Sequence, residues 1–173
     1  MRWKSRAKKG LLDLCKYIDK DEIVMVEIGC YVGEGTLIFS SQSKIKTIYS
    51  IDPWVNGYDD NDGASKKIPM NLVEKMFDEN TYGVEKIFKY KMRSEDAVNL
   101  FSDGSLDLVY IDGCHTYECV KQDILLWSPK IKSGGYISGH DFGREDVKIA
   151  VNEILGAPEK VFKDSSWIFK INF

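Results

Sequence analysis

Along the whole chain, short β-branched runs alternate with stretches whose apolar residues recur at helical spacing. Ile23-Val24-Met25-Val26-Glu27-Ile28 is a nearly continuous apolar run ended by Gly29, the pattern of a parallel strand buried on both faces. Thr47 to Asp52, Ile87 to Met92, Leu106 to Asp112 and Tyr136 to Ser138 read as further strands, with Trp167 to Phe173 as a terminal one. Gly134-Gly135 is expected to turn the chain into the fifth of these. Between the strands, Leu11, Leu14, Cys15 and Ile18 predict a helix over 5–19, and a second runs from Glu34 to Ser41. Leu72, Val73, Met76 and Phe77 mark a third, and Val120, Ile124, Trp127 and Ile131 one from about 116 to 131. Val147, Ala150, Val151 and Ile154 mark the last. Strands separated by helices require right-handed crossovers, so the expected fold is α/β: one doubly wound, mostly parallel sheet with helices on both faces.

At 173 residues the chain reads as one domain, 1–173. Its four cysteines form no C-x-x-C pair, which favours reduced thiols and a cytoplasmic setting over a disulfide scaffold. No apolar run approaches the ~18 residues of a membrane span, so no membrane partner is expected. A net charge of −3 argues against a nucleic-acid partner. The one basic cluster is Arg2, Lys4, Arg6, Lys8 and Lys9 in segment 1–20, read as a solvated terminus entering a surface helix, with a phosphate-contacting arm or a targeting tail as the alternative. Residues 53–69 are rich in Asp, Asn, Gly and Pro. A loop this long is expected to act as a lid or binding loop, together with the helix that follows it, over 53–83.

Doubly wound sheets bind ligands beyond the carboxyl ends of their strands, at the switch point. The residues that end the strands here are Glu27-Ile28-Gly29, Asp52, Asp112 and His140-Asp141. The glycine loop from Gly29 through Gly33 to Gly35 is spaced G-x-x-x-G-x-G, which is not the dinucleotide fingerprint, and no G-K-[ST] makes it a P-loop. Glu27 would repel a pyrophosphate at the helix N-terminus, leaving a cofactor with a cationic or hydroxyl-bearing part. Asp52, at the end of the second strand, is placed to accept ribose hydroxyls.

Val26-Glu27-Ile28-Gly29-Cys30-Tyr31-Val32-Gly33 and Ser50-Ile51-Asp52 resemble the first two motifs of the class I S-adenosylmethionine-dependent methyltransferases, a likeness spanning roughly residues 20–155. The resemblance implies a Rossmann-like fold and S-adenosylmethionine as cofactor. Glu27, Gly29 and Gly33, with Cys30 and Tyr31 of the same loop, would then shape the methionine site and Asp52 the ribose site, while Asp112 would touch the cofactor from the acceptor side. Ser94 and Glu95, of Ser94-Glu95-Asp96-Ala97, fall where the family cradles adenine. Asp112-Gly113-Cys114-His115-Thr116-Tyr117 and Gly134-Gly135-Tyr136-Ile137-Ser138-Gly139-His140-Asp141-Phe142 are similar to paired motifs of O-methyltransferases acting on sugars and natural products. That likeness implies a small hydroxylated acceptor, His115 as catalytic base, and a metal site at Asp112, His140 and Asp141. The sequence departs from the metal-dependent pattern at His140, where an acid is usual. The donor set leaves Mg, Mn or Fe open.

The residues themselves support part of this. His115 and His140 are the only histidines, both follow strands on the ligand edge, and each has an aspartate nearby. Methyl transfer to oxygen needs the acceptor aligned in line and its proton removed. A histidine, with an ordinary pKa of about 6.5, suits that task, and a divalent cation could instead acidify the hydroxyl. His115, Asp112 and His140 are therefore the candidate catalytic set. Asp141-Phe142-Gly143 spells a kinase tripeptide with none of its companions, and Cys30 and Cys114 lack a base pattern for thiol chemistry. Trp54, Tyr58, Phe77 and Tyr82 divide between core packing, favoured for Phe77, and an acceptor pocket. Methylation of nucleic-acid bases is disfavoured because Asp112-Gly113-Cys114-His115 is not a D/N-P-P-Y/F motif. The alternative to an enzyme is a catalytically inactive cofactor-binding fold serving as a scaffold or partner subunit. A homo-oligomer is left open.

Overall fold

A computed structural model describes residues 5–59 and 66–172; of 5–8 it describes the backbone only. Arg2 and Lys4 of the basic start thus lie outside the described residues, as does the middle of the 53–69 loop. The strands are β1 (Ile23–Ile28), β2 (Ile45–Ile51), β3 (Ile87–Tyr90), β4 (Leu106–Ile111), β5 (Ile131–Gly139), β6 (Lys160–Val161) and β7 (Trp167–Lys170). They form one sheet in the order β3-β2-β1-β4-β5-β7-β6. The first five are parallel, while β7 runs antiparallel to β5 and β6 antiparallel to β7. The order reverses between β1 and β4, so the crevice above those two strands is the switch point.

Alternation along the strands divides the core. Met25, Ile48 and Leu108 face helices α1 (Ser5–Tyr17) and α2 (Glu34–Ser40), meeting Leu14, Ile18 and Phe39. Val26, Val109 and Ile137 face the opposite side, where α5 (Tyr117–Trp127) and α6 (Glu145–Leu155) contribute Ile124, Trp127 and Val151. The two remaining helices are α3 (Met70–Thr81) and the single turn α4 (Ser94–Ala97). Phe77 and Val73 of α3 pack with Trp54 under the glycine loop, so Trp54 and Phe77 are core residues. Tyr82 is exposed and lines neither cavity beside the glycine loop.

Several boundaries differ from the sequence expectation. Ile131 belongs to β5, paired with Leu106, rather than to the preceding helix. Pro129 cannot continue an α-helix, and Ser128–Lys130 tighten into a 3-10 turn that ends it early. Gly134 and Gly135 lie inside β5; Gly134, at φ 75°, absorbs an irregularity in the strand. The two-residue β6 carries no sequence signal. No helix among the described residues is long and apolar enough to cross a membrane.

Candidate active site

The glycine loop leaves β1 through backbone that only certain residues tolerate. Gly29 sits at φ 82°, and a Cβ there would stand 2.1 Å from the carbonyl oxygen of Asp112 and 2.6 Å from Gly113 Cα. The tips of β1 and β4 touch at this point, so glycine is obligatory. Asp52 braces the loop from the side: its Oδ2 accepts from the N–H groups of Cys30 and Tyr31, both at 3.0 Å, and its Oδ1 from that of Trp54 at 2.7 Å. Burial pushes its carboxyl above the ordinary range against the pull of these three bonds. A carboxylate offers about four acceptor positions, so Asp52 retains one for a ligand hydroxyl rather than a free pair of oxygens.

Two cavities flank the loop. One, of about 260 Å³, runs from Asp52 and Ser94 past Gly113 to His115, Asp141 and Arg144. The other, of about 200 Å³, lies toward α1 and is walled by Glu27, Glu34, His140 and Asp164. Gly29, Tyr31 and Asp112 border both. Glu27 is buried, accepts from the Thr36 hydroxyl, and stands where a Cβ on residue 35 would be 2.4 Å from its Oε1. Burial, opposed by the Thr36 bond and aided by the nearby Asp112 and Asp52 charges, carries its carboxyl up to about 8. Ser94 borders the larger cavity, but its hydroxyl is engaged: it donates to Asp123 and accepts from Trp127 Nε1 at 2.8 Å. Glu95 instead borders a neighbouring surface groove with Arg93, Tyr58 and Asp123.

At the far end of the larger cavity, the loops after β2, β4 and β5 bring three aspartates and two histidines together. His115 Nε2 stands 3.0 Å from Asp141 Oδ2 and 3.6 Å from Asp112 Oδ1, and its Nδ1 is 2.7 Å from Asp59 Oδ2. His140 Nδ1 lies 3.3 Å from Asp141 Oδ1 and 3.7 Å from Asp112 Oδ1. Burial alone would lower the His115 pKa; hydrogen bonds to Asp112, Asp141 and Asp59 outweigh it and carry it up to about 10. His140 is moved the same way, mainly by Asp141 and Asp112 against burial, to about 9. The two imidazoles in turn hold the Asp141 carboxyl far below the usual range. Asp141 itself adopts a left-handed φ of 56°.

One oxygen or nitrogen each from Asp112, His115 and Asp141 lie within 4.8 Å of one another, a spacing that one cation can bridge. Asp112 and Asp141 are thus gathered as the sequence suggests. In the compact triple, however, His115 stands where His140 was expected, and His140 turns toward the α1-side cavity. Asp59, Asp164 and Arg144 escaped the sequence reading. Asp59 is one acid among several in a polar loop, and Asp164 follows the two-residue β6; both come from segments remote from the motifs. Only Arg144, three residues past Asp141, was within reach of a sequence argument.

This order of loops, with a glycine turn after β1, an acid after β2 and an Asp-His pair after β4, has a counterpart in known proteins. Residues 26–142 match the family model described as a methyltransferase domain. The chain belongs to that family. Its fold is that of the class I S-adenosylmethionine-dependent methyltransferases, and its solved neighbours include O-methyltransferases. An uncharacterized protein of Acanthamoeba polyphaga mimivirus is 29% identical over 152 residues, covering 84% of this chain. The chain spans 65% of that relative's length. The O-methyltransferase NovP superposes with a TM-score of 0.63 at 18% identity, over 96% of this chain and 78% of NovP. CalS11, a TDP-rhamnose 3'-O-methyltransferase of calicheamicin biosynthesis, gives 0.65 at 13% identity, over 98% and 81% of the two chains.

Proposed function

We propose that this methyltransferase moves the methyl group of S-adenosylmethionine to a hydroxyl of a small acceptor, of the sugar or natural-product kind. The single observation that carries the reading is the continuous cavity from Asp52 and Ser94 to Asp112, His115 and Asp141. It joins a place for a nucleoside to a place for a hydroxyl and its proton. The residues fit the cofactor: Asp52 has an acceptor position for a ribose hydroxyl, and the acids Glu27, Glu34, Asp112 and Asp164 around the second cavity suit an amino group and a sulfonium. Ser94 contributes shape rather than its hydroxyl, which is already bonded.

The cluster of Asp112, His115 and Asp141 fits a divalent cation, as two carboxylates and an imidazole suit Mn²⁺ or Fe²⁺ at least as well as Mg²⁺. Such an ion, when bound, would hold the acceptor hydroxyl and lower its pKa. Among uncompensated carboxylates, His115 holds its proton at neutral pH and is a donor. The two roles of His115 are alternatives: with Nε2 on an ion it would be a ligand, and with Nε2 free and the charges of Asp112 and Asp141 offset by bound ligand it returns, still bonded to Asp59, toward the range of a general base. Residues 53–83 form the acceptor-side wall in this reading, with Tyr58, Asp59 and Met70 along the cavity.

Calorimetric titration with S-adenosylhomocysteine and S-adenosylmethionine tests the proposal, on the wild type and on Asp52→Ala, with EDTA and with Mn²⁺ or Mg²⁺. Micromolar binding that Asp52→Ala abolishes supports it and justifies screening hydroxylated acceptors. Absence of binding under every condition sinks it and favours a scaffold role.

A further inference from the structure

Asp59 lies on the loop that follows β2, seven positions beyond Asp52, and is 5% exposed. One of its oxygens, Oδ2, accepts from the backbone N–H of His115 at 3.0 Å and stands 2.7 Å from His115 Nδ1. A single carboxylate oxygen thus ties the β2 loop to the β4–α5 loop across 56 residues of sequence.

The bond has a directional consequence. A carboxylate facing Nδ1 requires Nδ1 to carry a proton, which leaves Nε2 as the nitrogen on the cavity side, 3.0 Å from Asp141. A half-turn of the ring about its Cβ–Cγ bond would exchange Nε2 with Cε1 and present carbon where Nε2 now stands. Such a turn would break the Nδ1 contact with Asp59 at 2.7 Å as well as the Nε2 contact with Asp141 at 3.0 Å, so Asp59 holds the ring from the side opposite the cavity. The backbone bond adds a second restraint, because it fixes where the β4–α5 loop places the ring in the first place.

We propose that Asp59 is a positioning residue for His115: it selects the ring nitrogen presented to the acceptor and makes that selection depend on the loop carrying Asp52. The consequence for methyl transfer rests on the function proposed above; the pinning of the ring does not. Asp59 lines the acceptor end of the cavity, and in this role it acts through His115. It acts as the third member of a nucleophile–base–orienter arrangement, where loss of the orienter disorders the base without emptying the site.

The test is ring-specific. Long-range ¹⁵N–¹H correlation spectra of the ¹⁵N-labelled, metal-free protein report both imidazoles, and with two histidines in the chain a single His115→Gln spectrum assigns them. The expected result is an exchange-protected, downfield Nδ1–H on His115 in the wild type and its loss in Asp59→Ala. S-adenosylhomocysteine affinity of that variant should stay within about threefold of wild type, since the Asp52 braces are untouched. A wild-type spectrum without a protected His115 Nδ1–H overturns the proposal whether or not Asp59→Ala folds. A folded Asp59→Ala that keeps the signal overturns it as well. Failure of the wild type to bind S-adenosylhomocysteine with the signal present would overturn the methyl-transfer reading and leave the pinning of His115 standing.

Discussion

Asp123→Asn separates charge from shape at one buried carboxyl. Asp123 lies on α5, 7% exposed, and accepts a hydrogen bond from the Ser94 hydroxyl that borders the main cavity. Burial, opposed by that bond and aided by the Glu95 charge, carries its carboxyl from 3.8 up to about 7. A carboxyl whose folded pKa exceeds its unfolded value binds its proton more tightly in the native state. Its stabilising contribution is therefore present at low pH and lost as pH rises from about 4 through about 7, with no further change above. At about 1.4 kcal/mol per pKa unit, the linkage between pH 5 and pH 8 amounts to about 3 kcal/mol. Asparagine keeps an oxygen for Ser94 and cannot ionise, so the variant lacks this slope. Glu27, also raised by burial, slopes the same way but in both proteins, and cancels in the comparison. Urea unfolding followed by tryptophan fluorescence is the assay, with Trp127 as a local reporter because its Nε1–H donates to the same Ser94 hydroxyl. Relative to wild type, Asp123→Asn should gain up to about 3 kcal/mol on going from pH 5 to pH 8. A stability difference that does not change with pH would refute the reasoning.

Three further outcomes are expected. Gly29→Ala forces a side chain into a left-handed backbone and against the Asp112 carbonyl, so it should lose more than about 2 kcal/mol and fail to bind S-adenosylhomocysteine; an unchanged thermal melt would count against the close approach of β1 and β4. Asp52→Asn must turn an amide NH₂ toward at least one of three backbone N–H donors, a cost of about 1–3 kcal/mol, and should weaken S-adenosylhomocysteine at least about tenfold by calorimetry. Asp141→Asn removes an anion beside both imidazoles, so the midpoints of His115 and His140, at about 10 and about 9, should fall in the metal-free protein when followed by their ring-proton NMR shifts. Midpoints that stay in place would show that Asp141 is not their counterion.

The parts of this protein that depend on neighbours in sequence were legible without a structure. The β-branched run Ile23–Ile28 matches β1 residue for residue, because burial on both faces leaves little room for anything but such a run. The residues after β1, β2, β4 and β5 could be placed at one edge because parallel strands with right-handed crossovers all end on the same side. Where a local signal competes with a tertiary one, tertiary structure wins. Ile131 fits the apolar stripe of α5, yet Pro129 ends that helix and pairing with Leu106 claims the residue for β5. Tertiary structure alone decided how the site is wired. That Asp52 braces the glycine loop with two bonds and that Asp59 holds His115 each depend on segments far apart in the chain meeting at about 3 Å, and Asp164 reaches the α1-side cavity from beyond β6. The choice of His115 over His140 for the compact triple is of the same kind. Residue type and strand ends bring both histidines to the crevice, but which nitrogen faces which carboxylate is set by loop backbone, down to the left-handed φ of Asp141. Hydrophobic periodicity specifies the sheet because burial acts through the pattern of many residues. Hydrogen-bond geometry within the site depends on single distances, and those exist only once the chain has folded.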